Sequence, residues 1–141
     1  MTDPIRALQA VDRKPELDPW TQRLILFLRA MAILSMLKGL YHWAMVLGVA
    51  DGEGSTFETG PIPWQAATVF FAVIDLIAAV GLWLAAAWGG VVWLTAAISM
   101  AAVEVFFPQV FGGSSLVVMA EMLAIFAYVG LALMAGRARS T

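Results

Sequence analysis

An all-α integral membrane protein is the fold class this sequence predicts, four helices in an up-down-up-down bundle with both termini cytoplasmic. Three observations predict it. Of 141 residues, 62% are hydrophobic and 13% charged, and the mean hydropathy is +0.86, whereas a soluble domain carries about 25% charged residues. Leu24 to Leu47, Trp64 to Ala87, Val91 to Phe107 and Leu116 to Met134 are apolar stretches, each meeting or approaching the ~20 residues that cross a ~30 Å hydrocarbon core as helix. Cations gather at both ends: Arg6, Arg13, Lys14 and Arg23 precede the first stretch, and Arg137 and Arg139 follow the last. By the positive-inside rule both ends face the cytoplasm, which agrees with an even number of spans. Unpaired backbone amides are so costly in lipid that the stretches must be helical, since so few strands cannot close a barrel.

Residues 1–18 form a cytoplasmic N-terminal segment. Asp3-Pro4 places an N-cap before a proline, and Ile5, Leu8 and Val11 share one side of the turns that follow. A short helix on the cytoplasmic headgroups and a frayed tail both suit these residues. The first apolar stretch starts late and outruns a signal-peptide core, so the span is expected to be retained.

The transmembrane domain, 19–136, opens on Asp18-Pro19, an N-cap with proline at the first helical position. Between the first two spans, Asp51 to Glu58 holds three acids and no cation, which suits the opposite side of the membrane. Its alternating oxygen ligands lack the spacing of a calcium hand, leaving a solvated turn. Pro61 and Pro63 mark the entry to the second helix, and the run Ala85 to Gly90 turns the second into the third. Pro108 ends the third, and Gly112-Gly113-Ser114-Ser115 makes a serine-capped turn into the fourth. Residues 137–141 are a cytoplasmic tail. Trp20, Trp64 and Trp88 fall near the predicted interfaces, where indole rings prefer to sit. Ala72, Ala78, Ala79, Ala97, Ala101, Ala120, Ala124 and Ala127 offer the close approach that helix packing in lipid requires.

Into the outer halves of these helices the chain places Lys38, His42, Asp75, Glu104 and Glu121. A charge at mid-depth costs at least ~3 kcal/mol, so these side chains are expected to face one another, water or a substrate. At 1.5 Å per residue Lys38 lies roughly 13 Å, His42 and Glu121 roughly 8 Å, Asp75 roughly 16 Å and Glu104 roughly 5 Å below the outer boundary. The depths overlap. Lys38 and His42, four apart, project from one face, with Ser35, Gly39 and Tyr41 on or beside it. Lys38 is expected to pair with Asp75, and Glu104 to be a solvated rim residue. Arg29 lies close enough to the cytoplasmic end to snorkel out, so the acids outnumber the cations and the cluster could handle protons. The competing role is structural, with the pair fixing helix association and register.

The chain has no cysteine and one histidine, which removes thiol chemistry and bis-His haem within one chain. No catalytic residue, metal or cofactor is expected. A formal net charge of −2, without a basic stripe, sets nucleic acid aside. The methionines and Phe106-Phe107 read as packing or lipid-facing filler.

The stretch from Asp75 through Leu94, Asp-Leu-Ile-Ala-Ala-Val-Gly-Leu-Trp-Leu-Ala-Ala-Ala-Trp-Gly-Gly-Val-Val-Trp-Leu, followed by Glu104-Val-Phe-Phe-Pro-Gln-Val-Phe-Gly-Gly113, resembles an uncharacterised family of small proteobacterial inner-membrane proteins. The layout is also similar to the four-helix DoxX-like proteins, some of which accompany oxidoreductases. The resemblance implies a bacterial inner-membrane location and carries over no residue of known function. Small multidrug transporters are of similar length, but their proton-coupled glutamate belongs in helix 1, where this chain has Lys38. The leading expectation is a non-catalytic accessory or scaffold subunit that packs against a larger membrane complex. A homo-oligomeric proton-linked transporter or channel for a small solute is the alternative, and a DoxX-like oxidoreductase component the third. Membrane lipid and either other integral proteins or further copies of the chain are the expected partners.

Overall fold

The computed structural model describes residues 3–6, 16–49 and 57–141. Among them are four long helices and one short one, and no strand: α1 Pro19–Val46, α2 Ile62–Trp83, α3 Ala87–Phe106, α4 Pro108–Phe111 and α5 Ser115–Ser140. The four long helices are each long and apolar enough to cross a membrane, which marks a multi-pass membrane protein. Asp3 Oδ1 accepts from the Ile5 amide and residues 4–6 are helical; Leu8, Val11 and the acidic stretch at 51–56 lie outside the described residues.

Asp18 caps α1 as its sequence position predicts. Its Oδ2 accepts from the Thr21 amide at 3.0 Å and its Oδ1 from the Thr21 hydroxyl at 2.6 Å, with Pro19 beginning the helix. The hydroxyl bond, then the amide bond, holds the Asp18 carboxyl below its ordinary value of 3.8. A depressed folded-state value means the cap is at full strength above pH 3.8 and is lost as pH falls through the lowered value. Asp18→Ala should therefore speed amide exchange at Thr21 near neutral pH, with the difference from the parent shrinking in acid. An equal difference at all pH values would count against the carboxylate cap.

α1 packs on α2, α2 on α3, α3 on α5 and α5 back on α1, so the long helices close a ring. On α1 the buried residues are Leu28, Ala32, Ser35, Gly39 and His42. Their alternating spacing of four and three keeps one stripe inward. Gly39 lies against Leu76, where an added Cβ would stand 2.8 Å from the leucine side chain. The apolar core is formed by Leu28, Ala32, Ala78, Leu82 and Trp93, with Tyr128 packed against it. Trp93 meets Phe27 and Tyr128 edge-on, at 6.2 and 5.6 Å between ring centroids, a favoured aromatic geometry. Beyond this layer α1 continues from Ala32 to Ser35, Lys38 and His42, so the apolar core forms the floor under the polar cluster.

The run Ala85 to Gly90 divides differently from the sequence expectation. Leu84, Ala85 and Ala86 make the turn, with Ala85 at φ 51°, and Gly89 and Gly90 belong to α3. Gly89 packs against the backbone of Gly81, and a Cβ on Gly90 would stand 2.8 Å from the Tyr128 hydroxyl. These glycines allow helices to touch rather than the chain to turn.

The alanines divide too. Ala72, Ala78, Ala79 and Ala97 are buried as expected, whereas Ala120 and Ala127 are exposed on α5. The serine cap of α5 is also corrected: Ser114 occupies the cap position but makes no side-chain cap bond. Pro108 follows the end of α3 and opens the short helix α4. Gly112 and Gly113, at φ 94° and 65°, turn the chain from α4 into α5, and both adopt the left-handed region that glycine tolerates.

Candidate functional site

Lys38 reaches across the bundle from α1. Its Nζ donates to Glu121 Oε1 on α5 at 2.7 Å and stands 3.9 Å from Asp75 Oδ1 on α2. Lys38 therefore touches both acids, with Glu121 the closer. The expected Lys38–Asp75 pair is half of a three-way contact. Rise along the helices placed Lys38 and Asp75 at similar depth, but rotation of α5 about its axis, invisible in a sequence, turns Glu121 directly onto the ammonium.

The three groups differ in their exposure. The Lys38 side chain is 28% exposed, Glu121 10% and Asp75 1%. Neither carboxylate oxygen of Asp75 accepts a hydrogen bond from a described residue. An uncompensated buried carboxylate is strongly unfavourable, so the nearby ammonium is the group that makes Asp75 tolerable.

His42 lies one turn beyond Lys38, buried, with its Nδ1 2.9 Å from the Lys38 carbonyl. A carbonyl only accepts, so this contact puts the ring proton on Nδ1. The ring packs against Phe71 and Phe111 at 5.9 Å each and against Tyr41 at 5.8 Å.

Glu104 is 6% exposed, which corrects its reading as a solvated rim residue. The α3–α4–α5 connection folds back over it, and its Oε2 accepts from the Ser114 amide at 2.7 Å. The carboxylate thus satisfies the amide of the cap residue itself, tying the start of α5 to the end of α3. A position near a helix end suggested water; the loop that covers it is a tertiary feature.

A cavity of about 670 Å³ opens beside these groups, within the ~300–1,000 Å³ usual for small-molecule sites. Lys38, Tyr41, His42, Glu104 and Glu121 line it, with Trp64 and Phe111 on the wall. Four of the five sequence-predicted residues thus share one cavity, and Asp75 lies behind Lys38. Trp64 is held by its surroundings: the Gln65 side chain donates to the Phe57 and Gly60 carbonyls at 2.8 and 3.0 Å, and the Phe57 ring lies tilted against Trp64, 5.6 Å between centroids. The sequence marked Trp64 only as an interface residue and gave Phe111 no signal, because α4 looked like part of a turn. Ser35, on the Lys38 face, is buried and lines a smaller space of about 60 Å³ with Lys38 and Glu121.

Among the described residues no group of three or more His, Asp or Glu has the arrangement of a metal site. The chemistry available here is ion pairing, proton exchange and the binding of a small polar solute. No curated protein and no solved structure matches the chain. The model of a family of unknown function, DUF6163, matches residues 22–139, a range holding all five polar residues, and the chain belongs to that family.

Proposed function

We propose that this protein is a carrier or channel of the bacterial inner membrane that binds a small solute in the cavity and links its movement to protons on the surrounding carboxylates. Its helices run up-down-up-down with both termini in the cytoplasm, following the cation distribution. The single observation that carries the reading is the 670 Å³ cavity walled by Lys38, His42, Glu104 and Glu121. Intramembrane ionisable groups mark transport or proton pathways by default, and ion pairs that only fix helix register need no cavity beside them. Glu121 is the acid that both solute and Lys38 can reach, and Asp75 is the buried counter-charge.

The test is flux into liposomes loaded with a pH-sensitive dye, using cationic, neutral and anionic small solutes. An inward gradient of an accepted solute should move protons, and both Glu121→Gln and Asp75→Asn should abolish the coupled proton signal. Coupled flux unchanged in both variants would overturn the reading.

The accessory-subunit reading keeps one specific observation in its favour. On α5 only Glu121 and Ala135 are buried, and apart from the face carrying Ala124, Ile125 and Tyr128 this long apolar helix presents exposed side chains such as Leu116, Met119, Leu123, Phe126 and Leu133 to lipid, a second copy or a larger partner. Co-purification of a partner in mild detergent would support it, and recovery of a lone monomer would oppose it.

A further inference from the structure

We infer that the solute is a small organic cation, a protonated amine, and that Lys38 is the tethered cation it displaces from Glu121. This rests on the solute-binding reading above and names its ligand class. Glu104 and Glu121 each commit one oxygen, to the Ser114 amide and to Lys38. Among the described residues neither of their remaining oxygens accepts a hydrogen bond. Both acids line the cavity, and so do the rings of Tyr41, Trp64 and Phe111. Carboxylates with aromatic faces nearby are the surroundings in which an organic ammonium is favoured, by charge and by the ring quadrupole.

An anion entering the cavity would meet Lys38 only among carboxylates. A cation meets a different situation, because Lys38 has somewhere to go. Asp75 is buried, its oxygens accept no hydrogen bond from a described residue, and Lys38 Nζ is already 3.9 Å away. A shift of about 1 Å would bring that ammonium to hydrogen-bond distance. When an incoming ammonium takes Glu121, Lys38 transfers to Asp75, and neither charge is stranded. Asp75 is thus the receiving position of an ion exchange, which explains a carboxylate buried without a hydrogen-bond donor among the described residues.

The experiment uses the full chain in nanodiscs of neutral lipid and follows Trp64 emission, with Trp64→Phe as the blank. Butylammonium, butanol and butyrate serve as probes of similar size and different charge. Saturation by butylammonium alone is expected, weakened about tenfold or more in Glu121→Gln by loss of a charged partner. Lys38→Met combined with Asp75→Leu removes both the tethered competitor and the acid that receives it, so butylammonium should bind more tightly there. Weaker binding in that double variant would overturn the exchange with Lys38. Saturation by butyrate, or equally by butanol, would overturn the cation assignment and leave the solute-binding reading standing. No saturable response to any probe would overturn both.

Discussion

Lys38→Met should destabilise the detergent-solubilised protein more than Lys38→Met combined with Asp75→Leu, even though the double variant carries the additional change. The single substitution leaves Asp75, 1% exposed, with neither a hydrogen-bond donor nor a cation beside it among the described residues. Breaking a buried ion pair from one side typically costs about 3–5 kcal/mol, whereas replacing both members with apolar groups is often close to neutral. The closer partner, Glu121, provides the control. Because Glu121 lines the cavity, solvent or a proton can reach it when Lys38 is lost. Lys38→Met with Glu121→Gln should therefore remain nearly as unstable as Lys38→Met alone, since Asp75 is still stranded. Thermal melting of the three variants in one detergent reads the order directly. Equal melting of Lys38→Met and its Asp75→Leu double would show that Asp75 carries no buried charge dependent on Lys38.

Gly89→Ala should be the most damaging glycine-to-alanine change in the membrane-spanning helices. A Cβ at Gly89 would overlap the backbone of Gly81, and one at Gly81 would meet the Gly89 backbone and the Trp88 ring. Backbone cannot rotate aside as a side chain does, so α2 and α3 would have to separate. Overpacking of this kind costs about 1–3 kcal/mol, occasionally more. Around Gly130 and Gly136 on α5, no described residue places an atom within 4 Å of an added Cβ, the adjoining backbone of the helix itself aside. There alanine should be neutral or should gain up to about 1 kcal/mol from its higher helix propensity. The measurement is melting of the Gly89→Ala and Gly130→Ala variants side by side. Similar losses in both would remove the Gly81–Gly89 contact as a determinant of α2–α3 packing.

The cluster was legible because its members are chemically conspicuous. Lys38, His42, Asp75, Glu104 and Glu121 stand out against apolar helices, and a spacing of four residues puts Lys38 and His42 on one face. What each side chain touches was not legible. Depth along a helix follows from counting residues, but partner choice depends on helix rotation and on loops. Rotation of α5 brings Glu121 closer to Lys38 than Asp75 is, and the α4 turn covers Glu104. Small residues misled for the same reason: exposed Ala127 looks in sequence like buried Ala78, and Gly89 reads as part of a turn although its backbone meets that of Gly81.

Sequence alone determined that the chain crosses a membrane through four helices, where α1 is capped, and which polar residues lie within the apolar stretches. Those properties are local, set by hydropathy, by spacing and by single cap residues such as Asp18. Only the tertiary structure decided that Lys38 bridges two acids, that Glu104 is buried beneath the α3–α5 connection, and that Trp64 and Phe111 complete a cavity wall. Each of these depends on groups far apart in the chain, whose meeting is governed by packing between helices rather than by the preferences of any one segment.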